Sequence, residues 1–477
     1  MSQEFDLAVI GSGPAGEKAA AHAAYFGRSV VLVERAQRLG GVVVSSAGIP
    51  TKTLRESALY VTGFRKRDVY GVSVQLLPEM TLDLLRHRTY DVVQTMGEQV
   101  RHNMERHGVV VIEGTARLTA PTSLVVTGAG GTTEVRAGAI LVATGSRPFH
   151  PDGLPFDDPD VHDSKTILSV DRPFNSIVVI GSGAVGSEYA SIMAALGLRV
   201  TIIEGGPRIL GIADAEMSQV LADCLSRDGV EIRTGTRTTA IAREDGRLTV
   251  TLESGEKLHP DKVLFAVGRV SNSDNLGLEE LGVKLVGRGA IDVDADFRTS
   301  VPTIYAAGDV VGPPGLASVS MEQGRTAASA ALGTHYASSC RWVSPSGVYT
   351  IPEVAWVGLT EEQATAQGVS YETGRSYFTG NSRANIGGFT EGMVKIMFDP
   401  HDRRIVGAHA VGEVAAEIIH VAQAVMQLQG DLDYFVHATF NVPTWSDAFK
   451  MAAFDGLGKL VPSRLVRAAE PTPVVGR

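Results

Sequence analysis

The sequence predicts an α/β protein: two doubly wound α/β units, followed by an α+β C-terminal domain. Three observations predict it. First, one stretch occurs twice. FDLAVIGSGPAGEKAAAHAAYFGRSVVLVE runs to Glu34, and NSIVVIGSGAVGSEYASIMAALGLRVTIIE runs to Glu204. Each reads as a β-branched strand, a glycine-rich turn, an alanine-rich helix and a second strand closing on an acid. Second, each copy is followed at a distance by an apolar run that breaks at glycine, LVATGSRP to Pro148 and LFAVGRV to Val270. Third, the pattern changes from Trp342 onward, where strand-like runs (VAWVGL, GMVKIMF, RIVGAHAVG) mix with helices.

Taken in order, residues 1–148 form the first segment of one domain, opening on a strand from Phe5 to Ile10. A helical stretch with a polar interruption covers about 50–108, and strands cover about 109–145. A linker rich in Pro, Asp and Gly, about 149–163, opens a second domain spanning 149–272. Residues 273–341, which carry TIYAAGDVVG, return to the first domain; 342–465 form the last domain, and 466–477 a disordered tail.

Composition narrows the function. The 477 residues suit roughly three domains. Hydrophobic residues at 44% and charged residues at 20% are an ordinary globular mix. A net charge of -10 without a basic block argues against nucleic acid. No apolar run reaches the roughly 18 residues that span a bilayer, so no membrane partner is expected. There is no signal-like N-terminus. The two cysteines, Cys224 and Cys340, form no Cys-x-x-Cys pair. That fits a reducing cytoplasm and gives no structural disulfide and no metal site.

The repeated turn carries the chemistry. In Gly-x-Gly-x-x-Gly the first glycine permits the tight turn, the second lets backbone approach a pyrophosphate, and the third lets helix pack on strand. The helix start then offers free N–H groups and a positive dipole end to the phosphates. Here these are Gly11, Gly13 and Gly16, with Pro14 and Ala15 between them, and Gly181, Gly183 and Gly186, with Ala184 and Val185. Glu34 and Glu204 each follow the first glycine of their copy by 23 positions and can accept hydrogen bonds from an adenosine ribose. Two such Rossmann-like dinucleotide-binding domains in one chain imply an electron relay between two cofactors. Gly308 and Asp309, in AAGDV, suit a polyol such as the ribityl chain of a flavin; by itself Asp309 is equally a turn residue.

At this point the chain resembles the two-dinucleotide flavoprotein family of dihydrolipoamide dehydrogenase, glutathione reductase and mercuric reductase. The resemblance runs over about residues 5–462, through LGGV at 39–42, IPTK at 49–52, EGTA at 113–116, ATGSRP, AAGDV and a closing PTWSDAF. It implies FAD in the first domain and NAD(P)H as substrate in the second. FAD would meet Gly11, Gly13, Pro14, Ala15, Gly16, Glu34, Arg35, Gly40, Gly41, Val42, Thr51, Lys52, Gly114, Ala116, Thr144, Gly145, Ser146, Gly308, Asp309 and Ala317. The nicotinamide nucleotide would meet Gly181, Gly183, Ala184, Val185, Gly186, Glu188, Glu204, Gly268 and Arg269. The resemblance also pairs Lys52 with Glu188 as catalytic residues, an ammonium beside the ring favouring added negative charge on it. A C-terminal dimerisation domain is implied, giving a homodimer with shared flavin sites; the apolar helix AEIIHVAQAVM fits such an interface and fits a plain core as well.

Two departures bear on the reaction. Disulfide-reducing members carry cysteines at the positions held here by Val43 and Gly48, so no thiolate forms there. Their C-terminal base is a histidine where this chain has Val442, ahead of Pro443, Thr444 and Asp447. His437 lies near in sequence but off the motif and reads as structural. The branch that keeps this architecture without the dithiol resembles the soluble, Si-specific pyridine nucleotide transhydrogenases, in IPTKTLRESALYVTG, GIADAEM, SMEQGR, GVYTIPEVAWVG and FVHATFNVPTWSDAF. The expected reaction is NAD(P) transhydrogenation. The alternatives are an NAD(P)H:quinone or dye oxidoreductase, with the quinone in the vacated disulfide pocket, and a non-catalytic FAD-binding homologue. Glu204 should favour NAD, because its charge repels a 2′-phosphate. Arg208 is either a counterweight to that repulsion or a surface arginine.

Overall fold

The computed structural model describes residues 3–63, 71, 78–334 and 343–460. Most of the polar interruption after residue 63, Cys340 and the 466–477 tail lie outside the described residues. The chain divides into two compact units. One is drawn from residues 3–62, 78–205 and 236–334, and so holds both copies of the repeat; the other is drawn mainly from 206–235 and 343–460.

In the first unit the first repeat is β1 (Gln3–Ile10), α1 (Pro14–Tyr25) and β2 (Val30–Glu34). α2 (Gly41–Ser45), α3 (Ile49–Thr62) and α4 (Pro78–Arg106) follow. Next come β3 (Val110–Glu113), β4 (Thr115–Ala120), β5 (Ser123–Gly128) and β6 (Gly131–Val142). The sheet order is β3-β2-β1-β6-β5-β4. β1 runs parallel to both β2 and β6, with Ile10 opposite Val33 and Val142. All five residues of β2 are buried, as expected of a parallel strand covered on both faces. The alanines of α1 that face inward, Ala15, Ala19, Ala20 and Ala23, share a core with Leu7, Val9 and Leu32. Their small size lets another helix approach closely.

β7 (Ser146–Pro148) and β8 (Val161–His162) lead to the second repeat: β9 (Ser176–Ile180), α5 (Ala184–Ala195) and β10 (Arg199–Ile203). β11 (Thr238–Glu244) and β12 (Arg247–Leu252) form an antiparallel pair, and β13 (Lys262–Phe265) returns to the sheet, beside β9. β9 runs parallel to both β10 and β13, so β10, β9, β13 and β8 lie side by side. β14 (Arg269–Ser271) then pairs antiparallel with β7, setting Arg269 opposite Pro148 and Ser271 opposite Ser146. β15 (Ile304–Ala306) re-enters the first sheet alongside β6, and α6 (Ala317–Leu332) packs on α1. There is no room for a side chain in that packing: a Cβ on Gly324 would stand 2.1 Å from the Ala15 carbonyl oxygen.

The second unit has a five-stranded antiparallel sheet: β16 (Ser346–Val348), β17 (Glu353–Gly358), β18 (Glu372–Tyr377), β19 (Met393–Phe398) and β20 (Ile405–Gly412), in the order β16-β17-β20-β19-β18. Its helices are α7 (Glu361–Gln367), α8 (Ser382–Gly387), α9 (Ala415–Gln427), α10 (Leu432–His437) and α11 (Asp447–Leu460). α9 is the AEIIHVAQAVM helix. Ile418, Ile419, Ala422 and Val425 face the unit's own core, with Phe398, Phe435 and Phe449. Each fully buried phenylalanine contributes roughly 1.5–3 kcal/mol. The sequence gives no sign of β18, because ETGRSY lacks an apolar run; its place is set by pairing with β19 and by packing under α11. No helix among the described residues is long and apolar enough to cross a membrane.

Candidate active site

The two repeats fold into two like cradles. Gly11 closes the turn after β1 at φ +103°, where a Cβ would stand 2.4 Å from the Ala143 carbonyl oxygen. A Cβ on Gly16 would lie 1.8 Å from the Gly11 oxygen, so only glycine allows α1 to begin there. No side chain caps the start of α1, and a Cβ at Gly13 would meet open space. The first amides of the helix therefore have no side-chain acceptor of their own, as at an anion-binding helix start. At the end of β2, Glu34 is held in place: its Oε2 accepts from the Ser12 amide at 2.9 Å and the Ser12 hydroxyl at 2.7 Å, and its Oε1 from the Ala36 amide at 2.9 Å.

The second cradle repeats this. Gly181 has φ +89°, and a Cβ on Gly186 would lie 1.9 Å from the Gly181 oxygen. Gly183 faces open space, and α5 begins without a side-chain cap. Glu204 Oε2 accepts from the Ser182 amide at 2.8 Å and the Ser182 hydroxyl at 2.6 Å. Ser12 and Ser182 were not among the expected residues. The signal was available, since the same residue fills the second position of both turns.

Gly308 and Asp309 lie by the first cradle. A Cβ on Gly308 would meet the Ala15 side chain at 3.1 Å, and the Gly308 amide donates to Gln323 Oε1 at 2.8 Å. Asp309 Oδ2 accepts from the Ser146 hydroxyl at 2.7 Å. That hydroxyl in turn accepts from Arg269 Nε at 2.7 Å, and Arg269 Nη2 donates to the Ser146 carbonyl at 2.7 Å. Arg269, expected on the nicotinamide nucleotide, thus bonds Ser146 and stands 3.9 Å from Asp309. Burial, partly offset by Asp309 and Asp163, holds its pKa below the usual arginine value.

Other expected residues gather around these. Gly41 sits against Gly13, and the Gly40 amide donates to the Ser12 hydroxyl at 3.0 Å. The Gly114 amide donates to the Glu34 carbonyl at 2.9 Å. Thr144 and Gly145 are bonded to Asn272, and Ala317 opens α6. Ala116 turns its side chain into the core and Arg35 is exposed, so Ala116 could meet a ligand only through backbone. Pro14, Ala15, Ala184 and Val185 are the first residues of their helices, Gly268 precedes β14, and Val42 lies in α2.

Lys52 in α3 and Glu188 in α5 meet. Lys52 Nζ donates to Glu188 Oε1 at 2.8 Å and Oε2 at 2.7 Å, and to the Thr51 hydroxyl at 3.4 Å. The Glu188 side chain is only 9% exposed. This pair joins the α3 region to the start of the second cradle's helix. One turn before Lys52, a Cβ on Gly48 would lie 3.2 Å from Val43 Cγ1. The two positions are side by side, as a disulfide would require, and neither carries sulfur. In the second unit Val442 is 67% exposed, His437 is exposed at the end of α10, and Asp447 begins α11.

A second polar cluster lies wholly in the second unit. Oxygens of Asp214, Glu216 and Glu361 lie within 4.8 Å of one another, as metal ligands would. The ammonium of Lys395 fills that place, with Nζ 2.6 Å from Asp214, 3.2 Å from Glu216, and bonded to Glu361. Arg208 is also taken up in this unit: it pairs with Glu362 at 2.8 Å and donates to the carbonyls of Gly211 and Ala213. Cys224 is buried.

Comparison with known proteins agrees with this geometry. Residues 5–324 match the pyridine nucleotide-disulphide oxidoreductase family, and residues 344–453 match its dimerisation domain. The soluble pyridine nucleotide transhydrogenase of Mycobacterium bovis (strain BCG / Pasteur 1173P2) is 40% identical over 460 residues, covering 96% of this chain and 98% of that one. The protein of the same name from Pseudomonas fluorescens is 37% identical over 462 residues, covering 96% and 99%. Among solved structures, LpdA from Mycobacterium tuberculosis superposes with a TM-score of 0.86 at 27% identity, over 96% of this chain and 100% of that one. The HOCl-induced flavoprotein disulfide reductase RclA from Escherichia coli gives 0.85 at 26% identity, over 94% and 99%. With two-thirds of its length matched by the first profile and most of the remainder by the second, the chain belongs to the pyridine nucleotide-disulphide oxidoreductase family.

Proposed function

We propose that this chain is an FAD-dependent NAD(P) transhydrogenase, NADPH + NAD⁺ ⇌ NADP⁺ + NADH, with the two nucleotides using the second cradle in turn. The observation that carries the reading is the Lys52–Glu188 bond standing next to a dithiol position that holds Val43 and Gly48. The parts that take hydride in are present, and the parts that would pass it to a disulfide are not.

FAD bound at the first cradle supplies a ring that takes up and gives back hydride. The amides at the start of α1 bind its pyrophosphate, Glu34 its adenosine ribose, and Asp309, fixed by Ser146 and Arg269, its ribityl hydroxyls. Thr51, Val42, Thr144 and Ala317 would line its path. Lys52 stabilises negative charge on the ring, and Glu188 holds Lys52 in place. In the second cradle the start of α5 binds a nucleotide pyrophosphate, and Glu204 accepts from a ribose hydroxyl. The dimerisation domain supports a homodimer with shared flavin sites, and the sparse cysteines suit the cytoplasm.

Anaerobic transfer from NADPH to a spectrally distinct NAD analogue tests the reading, with a quinone assayed in parallel. Rapid nucleotide-to-nucleotide transfer supports it. If only the quinone reoxidises the protein, the acceptor is a quinone, and the sulfur-free positions Val43 and Gly48 become the first place to look for its seat. Glu204→Ala is expected to lower the ratio of NADH to NADPH efficiency about tenfold, the value of one charge-assisted hydrogen bond. An unchanged ratio would remove Glu204 from ribose recognition.

A further inference from the structure

The proposed exchange sets a problem that Glu204 makes worse. A 2′-phosphate brings about -1.5 to -2 charges to a ribose site already held by a carboxylate. Burying like charges together is unfavourable unless a cation answers them. Arg208 follows Glu204 closely in sequence, but its guanidinium is engaged by Glu362 and two carbonyls. Arg233 is paired with Glu231.

Arg237 is placed differently. The chain passes back beside Glu204 just before β11, and the Thr236 amide donates to the Glu204 carbonyl at 3.0 Å. Arg237 therefore lies over Gly205. From where a Gly205 Cβ would stand, Arg237 Cγ is 3.5 Å away and Nε 3.6 Å. The missing side chain lets the arginine stem and the first guanidinium nitrogen lie along the end of the strand, over the residue that follows Glu204. The Arg237 backbone is pinned, its carbonyl accepting from the Glu253 amide at 2.9 Å. Its side chain is exposed and has no hydrogen-bond or ion-pair partner among the described residues. A guanidinium with five donors on a fixed stem is the group best matched to phosphate oxygens.

We propose that Arg237 receives the 2′-phosphate of NADP(H), so that one ribose site serves both nucleotides: Glu204 for the free hydroxyl and Arg237 for its phosphate ester. The inference rests on the reading that both nucleotides are substrates. Its test is separable, because it reads binding as well as turnover. Adenosine 2′,5′-bisphosphate and 5′-AMP are titrated calorimetrically into the FAD-loaded wild type, R237Q and R237K. R237Q is expected to weaken the bisphosphate about 10- to 100-fold, the range for a hydrogen bond to a charged group. The same change should leave 5′-AMP within about twofold, and R237K should recover part of the loss. The KM for NADPH rises in parallel while that for NADH holds. Equal weakening of both ligands, or of neither, overturns the proposal. If wild type fails to exchange hydride between nucleotides but R237Q still loses only the bisphosphate, the transhydrogenase reading falls and the Arg237 assignment stands.

Discussion

Replacing Lys52 by methionine should slow hydride transfer from NADPH about 10²-fold, the usual cost of removing one preorganised charged donor from a reaction centre, with FAD still bound. Methionine keeps the length and apolar stem of lysine and deletes only the ammonium. That ammonium bonds to both oxygens of Glu188 at 2.8 and 2.7 Å. The first cradle, proposed to hold FAD and built from Gly11, Gly13, Gly16, Glu34 and Ser12, does not depend on it. Anaerobic stopped-flow bleaching of the flavin band gives the rate, and absorbance per protein gives the FAD content. Glu188→Gln should have a smaller effect, since a carboxamide can still accept from Lys52 through one oxygen. A Lys52→Met protein that is reduced at the wild-type rate would exclude the lysine from the reaction.

The second large effect concerns stability. Lys395→Met should lower the stability of the second unit by about 3–5 kcal/mol, the cost of breaking a buried pair by removing one partner. Lys395 is fully buried, as is Asp214, and its ammonium serves three carboxylates. Arg375 is the other cation present, at 2.8 Å from Glu216 and 3.4 Å from Glu361. Without Lys395, the buried Asp214 loses its ammonium and Glu216 and Glu361 share one guanidinium. The denaturation midpoint followed by the fluorescence of Trp356 and Trp445, both in this unit, reads the change; a midpoint like that of wild type would mean the cluster is solvated.

The same cluster sets a response to acid. Burial would raise Asp214, but the Lys395 ammonium and the Glu361 amide outweigh it and hold the carboxyl below its ordinary 3.8. Burial likewise opposes ionisation of Glu216, and Arg375 and Lys395 outweigh it, holding the carboxyl below 4.5. These carboxylates stabilise the fold above their unfolded values, and that stability is lost as pH falls through the folded ones. His409 acts in the same direction. Burial pushes it down from 6.5 to about 4, so it stays neutral in the fold while the unfolded chain takes up a proton. The expected loss from His409 alone between those two values is roughly 3 kcal/mol. Thermal midpoints should fall steadily from about pH 6.5 to 4; a flat profile would contradict a buried neutral His409.

Much of the site could be read from the chain alone, because its parts are local. The tight turn, the unobstructed helix start and the acid at the strand end all fall within a 30-residue βαβ unit, and each needs a particular residue at a fixed spacing. The absence of sulfur at Val43 and Gly48 is likewise a statement about composition, and so is the exclusion of dithiol chemistry. What remained open depended on contacts between distant residues. Nothing local to AAGDV shows that its strand, β15, enters the first sheet beside β6 and brings Gly308 against Ala15. The bonds of Arg269 to Ser146 follow from the pairing of β14 with β7, which the sequence does not show. Lys395 lies in an apolar strand, GMVKIMF, and nothing there shows that its partners are 34 and about 180 positions away. Periodicity and turn chemistry act over a few residues, so the sequence by itself determined the two cradles and the missing dithiol. Which side chains answer a buried charge, and which of two like cradles Gly308 and Asp309 lie beside, is decided by strand pairing across hundreds of residues, and only the tertiary structure fixes that.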